Sequence, residues 1–411
     1  METFIYEHER VPTTRSVLDN GLTVVTVENK RKVSQCEVVV RVGSMEDEVH
    51  GDSHFLEHML LEAPGRGGFH PLTAELELEA MLTNGATSVY TTRYNAHGLP
   101  EHMPRALQAF VQMVFNPEFT ESAMEAERLV ILQEEREARP HGFARWRTAL
   151  RLPQMVPFLP SLGTHESIGR ISRDGLLRHH ATHYGAQNTM IVVAGPHKHE
   201  EVLGWVSAAQ LPVASVVIPV RGNTLYRQLD DTAVFEDPNQ ADTLVLLFEP
   251  GPTTEREMAR LQLTLDVLRR GFVSVLMRIL RSEHSIAYSV GAGISDHPHP
   301  LLEMGIISVR DKHARVEELV MEGLRQVASG NIPEDAWRHA RAFERMRQYT
   351  RGLPKSEESA DRWVDRFAFG RFSDEPELDQ LTLTQEDLAH TVQEHFLDRH
   401  ISRIRILHKD G

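Results

Sequence analysis

Apolar positions along this chain fall into two recurring patterns. Runs rich in Val and Thr at Leu22 to Val27 and Cys36 to Val42 read as strands, and Asp19-Asn20-Gly21 is a turn signal between strand-like runs. Asp242 to Phe248 has the same character and ends at Glu249-Pro250-Gly251. Longer amphipathic stretches follow the strands in both halves. Ser122 to Arg139 is helical in pattern, and Pro333 to Arg347 is its counterpart. Leu177 to Tyr184 reads as a helix with Asn188 to Ala194 as the strand after it, and Leu388 to Phe396 followed by Ile401 to Ile406 repeats that order. His183 and His395 then align at a period of 212, and the period and the element order together point to an internal duplication.

Pro212, Pro219 and Gly222 interrupt the regular pattern between Leu211 and Tyr226. The expected organisation is one domain at 1–212, a linker at 213–226 and a second domain at 227–411. Strands that come in runs, with helices between them, predict an α+β fold.

With 411 residues the chain is long enough for two cores. A formal charge of −15 argues against non-specific nucleic-acid binding and towards cationic partners, such as basic peptides drawn into an acidic chamber. A merely solvated acidic surface accounts for the charge equally well. No apolar run approaches the roughly 20 residues needed to span a bilayer. The polar, acidic stretch from Met1 to Arg10 has the character of neither a signal peptide nor a basic presequence. Cys36 is the only cysteine, so no intrachain disulfide can form and the cytosol is the expected setting. Cys36 lies in an apolar alternating run and is expected in the core.

The chemistry concentrates at His54-Phe55-Leu56-Glu57-His58. Residues four apart share a helix face, so His54 and His58 can grip one metal ion from a single helix while Glu57 stays free for proton transfer. The order H-x-x-E-H is the inverse of the H-E-x-x-H metallopeptidase motif. A catalytic zinc takes three protein ligands and keeps one open position. The best source of the third is Glu127 to Glu137, where Glu127 and Glu134 stand seven residues apart on one helix face. Leu129, Val130 and Leu132 are expected to bury other parts of that helix. Spacing alone does not separate Glu134 from Glu135, and a solvated acidic face fits the same residues.

These motifs resemble the pitrilysin/insulinase-type zinc peptidases, in particular the short branch that includes the mitochondrial processing peptidase and its bacterial relatives. Gly43-Ser44-Met45-Glu46-Asp47-Glu48 stands where the family has G-S-x-x-E, and Glu134 follows His58 by the 76 residues that separate the family's distal zinc ligand from its motif. Asn116-Pro117, followed by the long helical stretch, is also similar. Arg281 to Val290 is similar to the family's Arg-plus-Tyr segment. The resemblance covers nearly the whole chain.

It implies two homologous domains, each a mostly antiparallel mixed sheet packed on helices. It implies one Zn²⁺ per chain on His54, His58 and Glu134, with Glu57 as general base and Glu127 as helper. Arg281 and Tyr288 would hold the substrate backbone or its oxyanion. The strand around Ser88, Val89, Tyr90 and Thr91, running to Arg93, would pair with the peptide. Ser88 is read here as replacing the Asn of the family's G-x-x-N-A-x-T-S strand, and Leu61 to Gly68 as departing from the usual loop after the motif. The expected activity is endopeptidase cleavage of unfolded peptides or presequence-like segments. One chain carries both the zinc motif and the Arg281/Tyr288 pair, so the expected assembly is a homodimer that encloses a chamber, or a heterodimer with a related chain. The competing reading is a non-catalytic or partner-dependent subunit.

Three other features carry less. Gly65-Arg66-Gly67-Gly68 reads as a flexible loop, and His197-Lys198-His199 and His297-Pro298-His299-Pro300 as surface histidines.

Overall fold

Alternation along the central strands accounts for the first sheet. Strands β1 (Glu2–Tyr6), β2 (Thr13–Val17), β3 (Thr23–Glu28) and β4 (Ser34–Val40) come before the motif helix. Strands β5 (Leu82–Thr87), β6 (Thr92–Gly98) and β7 (Thr189–Gly195) come after it. They form one sheet in the order β1-β2-β3-β7-β4-β6-β5. Every residue of β4 and β7 is buried, the mark of strands covered on both faces. Val24, Cys36, Val38, Ile191 and Val193 point into the core under the helices. Their neighbours Val25, Val27, Val39, Met190, Val192 and Ala194 point to the other face. Burial pushes the Cys36 thiol up to about 12, so it is an inert core residue, as expected.

A computed structural model describes residues 1–6, 11–61, 71–137, 161–207, 211–219, 232–237, 241–248, 254–295, 301–351, 363–364, 366–370 and 379–408. The Gly65–Gly68 loop, Glu249-Pro250-Gly251, the His297–Pro300 run and residues 220–226 of the expected linker lie outside the described residues.

The described residues fall into two compact units. The first holds the seven-stranded sheet and the helices α1 (Asp52–Leu61), α2 (Pro71–Leu78), α3 (Met103–Phe115), α4 (Glu121–Glu137), α5 (His165–Arg170), α6 (Arg173–His183) and α7 (His199–Ser207). The second holds β8 (Thr232–Asp237), β9 (Thr243–Phe248), α8 (Glu255–Arg269), β10 (Ala287–Ser295), β11 (Leu301–Ser308), α9 (His313–Ala328), α10 (Glu334–Arg351), α11 (Gln385–Val392) and β12 (Ile401–His408).

The five strands of the second unit run β8-β12-β9-β11-β10. Their pairings are parallel, antiparallel, antiparallel and antiparallel. The series β3-β7-β4-β6-β5 of the first sheet has the same senses in the same order. The second sheet thus repeats the first without its two outer strands. This is the α+β duplication that the sequence predicts, with mixed sheets that are mostly antiparallel.

One part of the first unit comes from far along the chain. Residues 363–364 and 366–370 pack with it, although they follow most of the second unit in sequence. Trp363, Val364 and Phe367 cover the face of the sheet that carries Val25, Val39 and Met190. The guanidinium of Arg41 donates through Nε and Nη2 to Phe367 O (3.1 and 2.8 Å) and lies over the Phe367 ring. A division at 1–212 leaves this segment out of the first unit.

Candidate metal centre

Helix α1 is buried on nearly every side: of its ten residues only His58 is not fully buried. Its start is tied down by short polar links. Asp47 accepts from Gly51 N (2.8 Å), Ser53 N (2.9 Å) and Ser53 Oγ (2.6 Å), and Ser53 Oγ also lies 3.1 Å from His179 Nε2 on α6. Gly51 has φ +100° and its missing Cβ leaves room for Leu162 O, so glycine is required there. These links fix the rotation of α1, and with it the direction of His54 and His58.

The two imidazoles meet edge to face with centroids 4.6 Å apart. Glu134 of α4 reaches both: its Oε2 lies 3.3 Å from His58 Nε2 and 3.6 Å from His54 Nε2. Tetrahedral zinc with ligands at about 2.0–2.1 Å separates its donor atoms by about 3.3 Å. All three ligand atoms lie within 4.8 Å of one another, and two neutral imidazoles with one carboxylate suit that ion. The residues therefore fit zinc. Glu134, and not Glu135, is grouped with the two imidazoles among the described residues.

Glu127 is buried and its Oε1 lies 2.8 Å from His58 Nδ1. That contact turns the other ring nitrogen, Nε2, towards Glu134. His54 Nδ1 is buried and has no hydrogen-bond partner among the described residues. Without a cation, the two rings differ in charge. Burial first, and then His58, lowers His54 to about 4. Burial also works against protonating His58, but hydrogen bonds to Glu127 and Glu134 outweigh it and raise that ring to about 10. The bond from His58 holds the Glu134 carboxyl below its usual range. Replacing Glu127 with Ala is expected to weaken zinc binding about 10–100-fold with the fold intact, read by competition against a chromogenic chelator.

Glu57 sits beside the ring cluster, buried, and accepts from Thr87 Oγ1 of β5 at 2.7 Å. A Cβ on Gly85 would overlap Glu57 Oε1, so the strand passes directly over the carboxylate. β5 closes the sheet order and pairs only with β6 among the described strands.

Several expectations need correction here. Ser88 to Thr91 are not strand but the loop between β5 and β6, closed by Ser88 Oγ, which accepts from Thr91 N (3.0 Å) and Tyr90 N (3.2 Å). The strand beside Glu57 is Leu82–Thr87, one turn earlier in the chain. Asn84-Gly85-Ala86-Thr87-Ser88 agrees with N-A-x-T-S at its Asn, Thr and Ser and has Gly85 in place of the Ala, so Asn84 rather than Ser88 aligns with the pattern's Asn. On α4 the buried positions are Ala123, Met124, Glu127 and Ile131, whereas Leu129 and Val130 are exposed. His197 and His199 are buried rather than on the surface. His197 pairs with Ser34, and His199 bridges Ser16 and Thr26.

Arg281 and Tyr288 lie together in the second unit. Arg281 Nη1 donates to Tyr288 O (3.0 Å), and the guanidinium sits near the rings of Tyr288 and Phe272. Tyr288 is 72% exposed, so its side chain is open to a ligand. A second His/Glu group, Glu257, Glu394 and His395, also has ligand atoms in range. Glu257 there already caps its own helix through Thr254 N, which commits one of its oxygens to structure.

Two family models match this chain. Residues 23–142 match insulinase, peptidase family M16, and residues 170–343 match the peptidase M16 inactive domain, together more than two thirds of the sequence. The chain belongs to peptidase family M16. Among its relatives, a probable mitochondrial-processing peptidase subunit beta of Arabidopsis thaliana is 33% identical over 204 residues, which are 47% of this chain and 38% of that one. The chain thus spans well under two thirds of the plant protein. An uncharacterized zinc protease of Rickettsia bellii is 26% identical over 75% of each chain. The crystal structure of a protease from Helicobacter pylori superposes with a TM-score of 0.78 at 18% identity, covering 97% of this chain and 99% of that one, which establishes a shared fold. The model for the first half spans His54, Glu57, His58, Glu127 and Glu134, and the model named inactive spans Arg281 and Tyr288. Among the described residues no helix is long and apolar enough to cross a membrane.

Proposed function

We propose that this M16 chain is a zinc-dependent endopeptidase that takes extended, unfolded peptides. One observation carries the reading. His54, His58 and Glu134 converge in zinc geometry while Glu57, which is not among them, stands between that cluster and the sheet edge. Bound zinc supplies the Lewis acidity that makes water nucleophilic near neutral pH. Glu57 takes the proton from the attacking water and returns it to the leaving amine. A peptide adds to the outer side of β5 by backbone pairing, which favours extended conformation over particular side chains. Thr87 and Gly85 hold Glu57 against that strand. Arg281 and Tyr288 hold the peptide, in keeping with the family resemblance of their segment.

The same proposal has further parts. The working form is a dimer of this chain, or a pair with a related one, that admits only unfolded substrates, including presequence-like segments. The acidic balance favours basic peptides. A reducing compartment such as the cytosol suits the single buried thiol.

The test combines metal analysis with a mixed-peptide digest. The purified chain should hold about one zinc and cut peptides in a chelator-sensitive way. Glu134→Ala should lose both the metal and the cleavage. Chelator-insensitive cleavage, or a metal-free chain that cuts, would overturn the reading. Full zinc loading with cleavage only after a related chain is added would assign the partner-dependent form.

A further inference from the structure

Residues 363–364 and 366–370 do more in the first unit than cover a sheet face. Past Phe367, Ala368 and Phe369 reach the loop between β5 and β6 and form a small buried cluster there with Tyr90, Val89 and Met45. The Phe369 ring meets Tyr90 edge to face with centroids 5.4 Å apart. The same loop is stitched to the segment before α1. Ser44 N donates to Ser88 O and Met45 N to Val89 O, each at 3.1 Å. Gly43 lies so close beneath Ser88–Tyr90 that a Cβ would overlap their backbone. Ser53 Oγ, one residue before His54, lies 3.0 Å from Gly43 O. On its other side the loop runs straight into Thr87, which holds Glu57. The cluster at Phe369 therefore sits at the joint between the motif helix and the strand over the carboxylate.

We infer that Phe369, with Ala368, clamps the β5–β6 loop and thereby sets the position of β5 against Glu57. The second half of the chain supplies a positioning residue to the catalytic hairpin. A hairpin at the end of a sheet frays readily unless its turn is tied down, because one of its strands lacks a neighbour. The clamp removes that freedom by burying both rings. Its consequence for catalysis rests on the peptidase reading, but the clamp itself does not.

The experiment compares wild type with Phe369→Leu and Phe369→Ala. Leu keeps the position apolar and removes only the ring contact, so it decides the matter where Ala fails to fold. Amide hydrogen exchange at residues 88–91 should rise about tenfold or more, with exchange in β3, β4 and β7 and the zinc content unchanged. With an extended fluorogenic peptide, kcat/KM should fall about tenfold, since small displacements at a reacting centre are costly. Tyr90→Leu should do the same, and the double variant should lose no more than either single, because both remove one contact. Loop exchange at the wild-type rate in Phe369→Leu, or a rise spread evenly over the sheet, overturns the clamp. If wild type itself shows no zinc-dependent cleavage, the peptidase reading fails, and loop exchange alone still decides the clamp.

Discussion

Replacing Glu57 with Gln is expected to abolish peptide hydrolysis while leaving zinc in place. The substitution is nearly isosteric, and the amide oxygen can still accept from Thr87 Oγ1, so the contact with β5 survives. What disappears is a basic oxygen able to hold a proton in the transition state, a loss worth about 10²–10⁴ in rate. His54, His58 and Glu134 are untouched, so the metal content should match that of wild type. The measurement is kcat on a quenched fluorescent peptide, alongside zinc by mass spectrometry and a thermal melt. A variant that keeps its zinc and cleaves within a few-fold of wild type removes Glu57 as the base. A variant that loses its zinc shows instead that Glu57 supports the ligand set.

The second large effect concerns folding. A fragment of residues 1–212 is expected to be aggregated or unfolded, although it holds the whole seven-stranded sheet and the candidate ligands His54, His58 and Glu134. Cutting there removes Trp363, Val364 and Phe367, and uncovers the face formed by Tyr6, Val25, Val27, Val39, Met190, Val192 and Ala194. Burial of such side chains is worth about 1.5–3 kcal/mol each, so three of them lost approaches the entire stability of a typical domain. The buried Arg41 guanidinium also loses two acceptors, Phe367 O and Ile218 O. Expression of 1–212 alone, of 1–222 alone, and of 1–222 fused through a flexible linker to residues 354–375 separates the causes. Only the fusion should melt cooperatively as a monomer. A soluble, cooperatively melting 1–212 or 1–222 fragment contradicts the assignment of a structural role to the late segment.

The site was more legible than its surroundings. His54 and His58 could be paired from their spacing because a helix places residues four apart on one face whatever surrounds it. Glu134 could not be told from Glu135 by spacing, since adjacent helical residues differ by about 100° and only the position of α4 against α1 decides which one faces the rings. Arg128 illustrates that dependence: its guanidinium lies 5.1 Å from the Phe55 ring centroid and donates to Ile171 O, so the roll of α4 is set by contacts with α1 and with the link between α5 and α6. Ser88 looked like strand because Val, Tyr and Thr follow it. Four local hydrogen bonds from its hydroxyl and to its turn partners outweigh that propensity. The histidines at 197 and 199 looked exposed beside Lys198, yet Ser and Thr hydroxyls from distant strands satisfy them in the interior.

Taken alone, the order of residues determined the elements that arise from local periodicity: the strands, the long helices, the repeat at 212 and the paired imidazoles with their carboxylate neighbour. Those features depend on contacts a few residues apart, where chain geometry leaves little choice. Only the tertiary structure decided which acidic oxygen completes the ligand set, which strand lies over Glu57, and that residues 363–364 and 366–370 close the first unit. Each of those outcomes depends on how separately formed elements pack together, and packing selects among many faces that satisfy local propensity equally well.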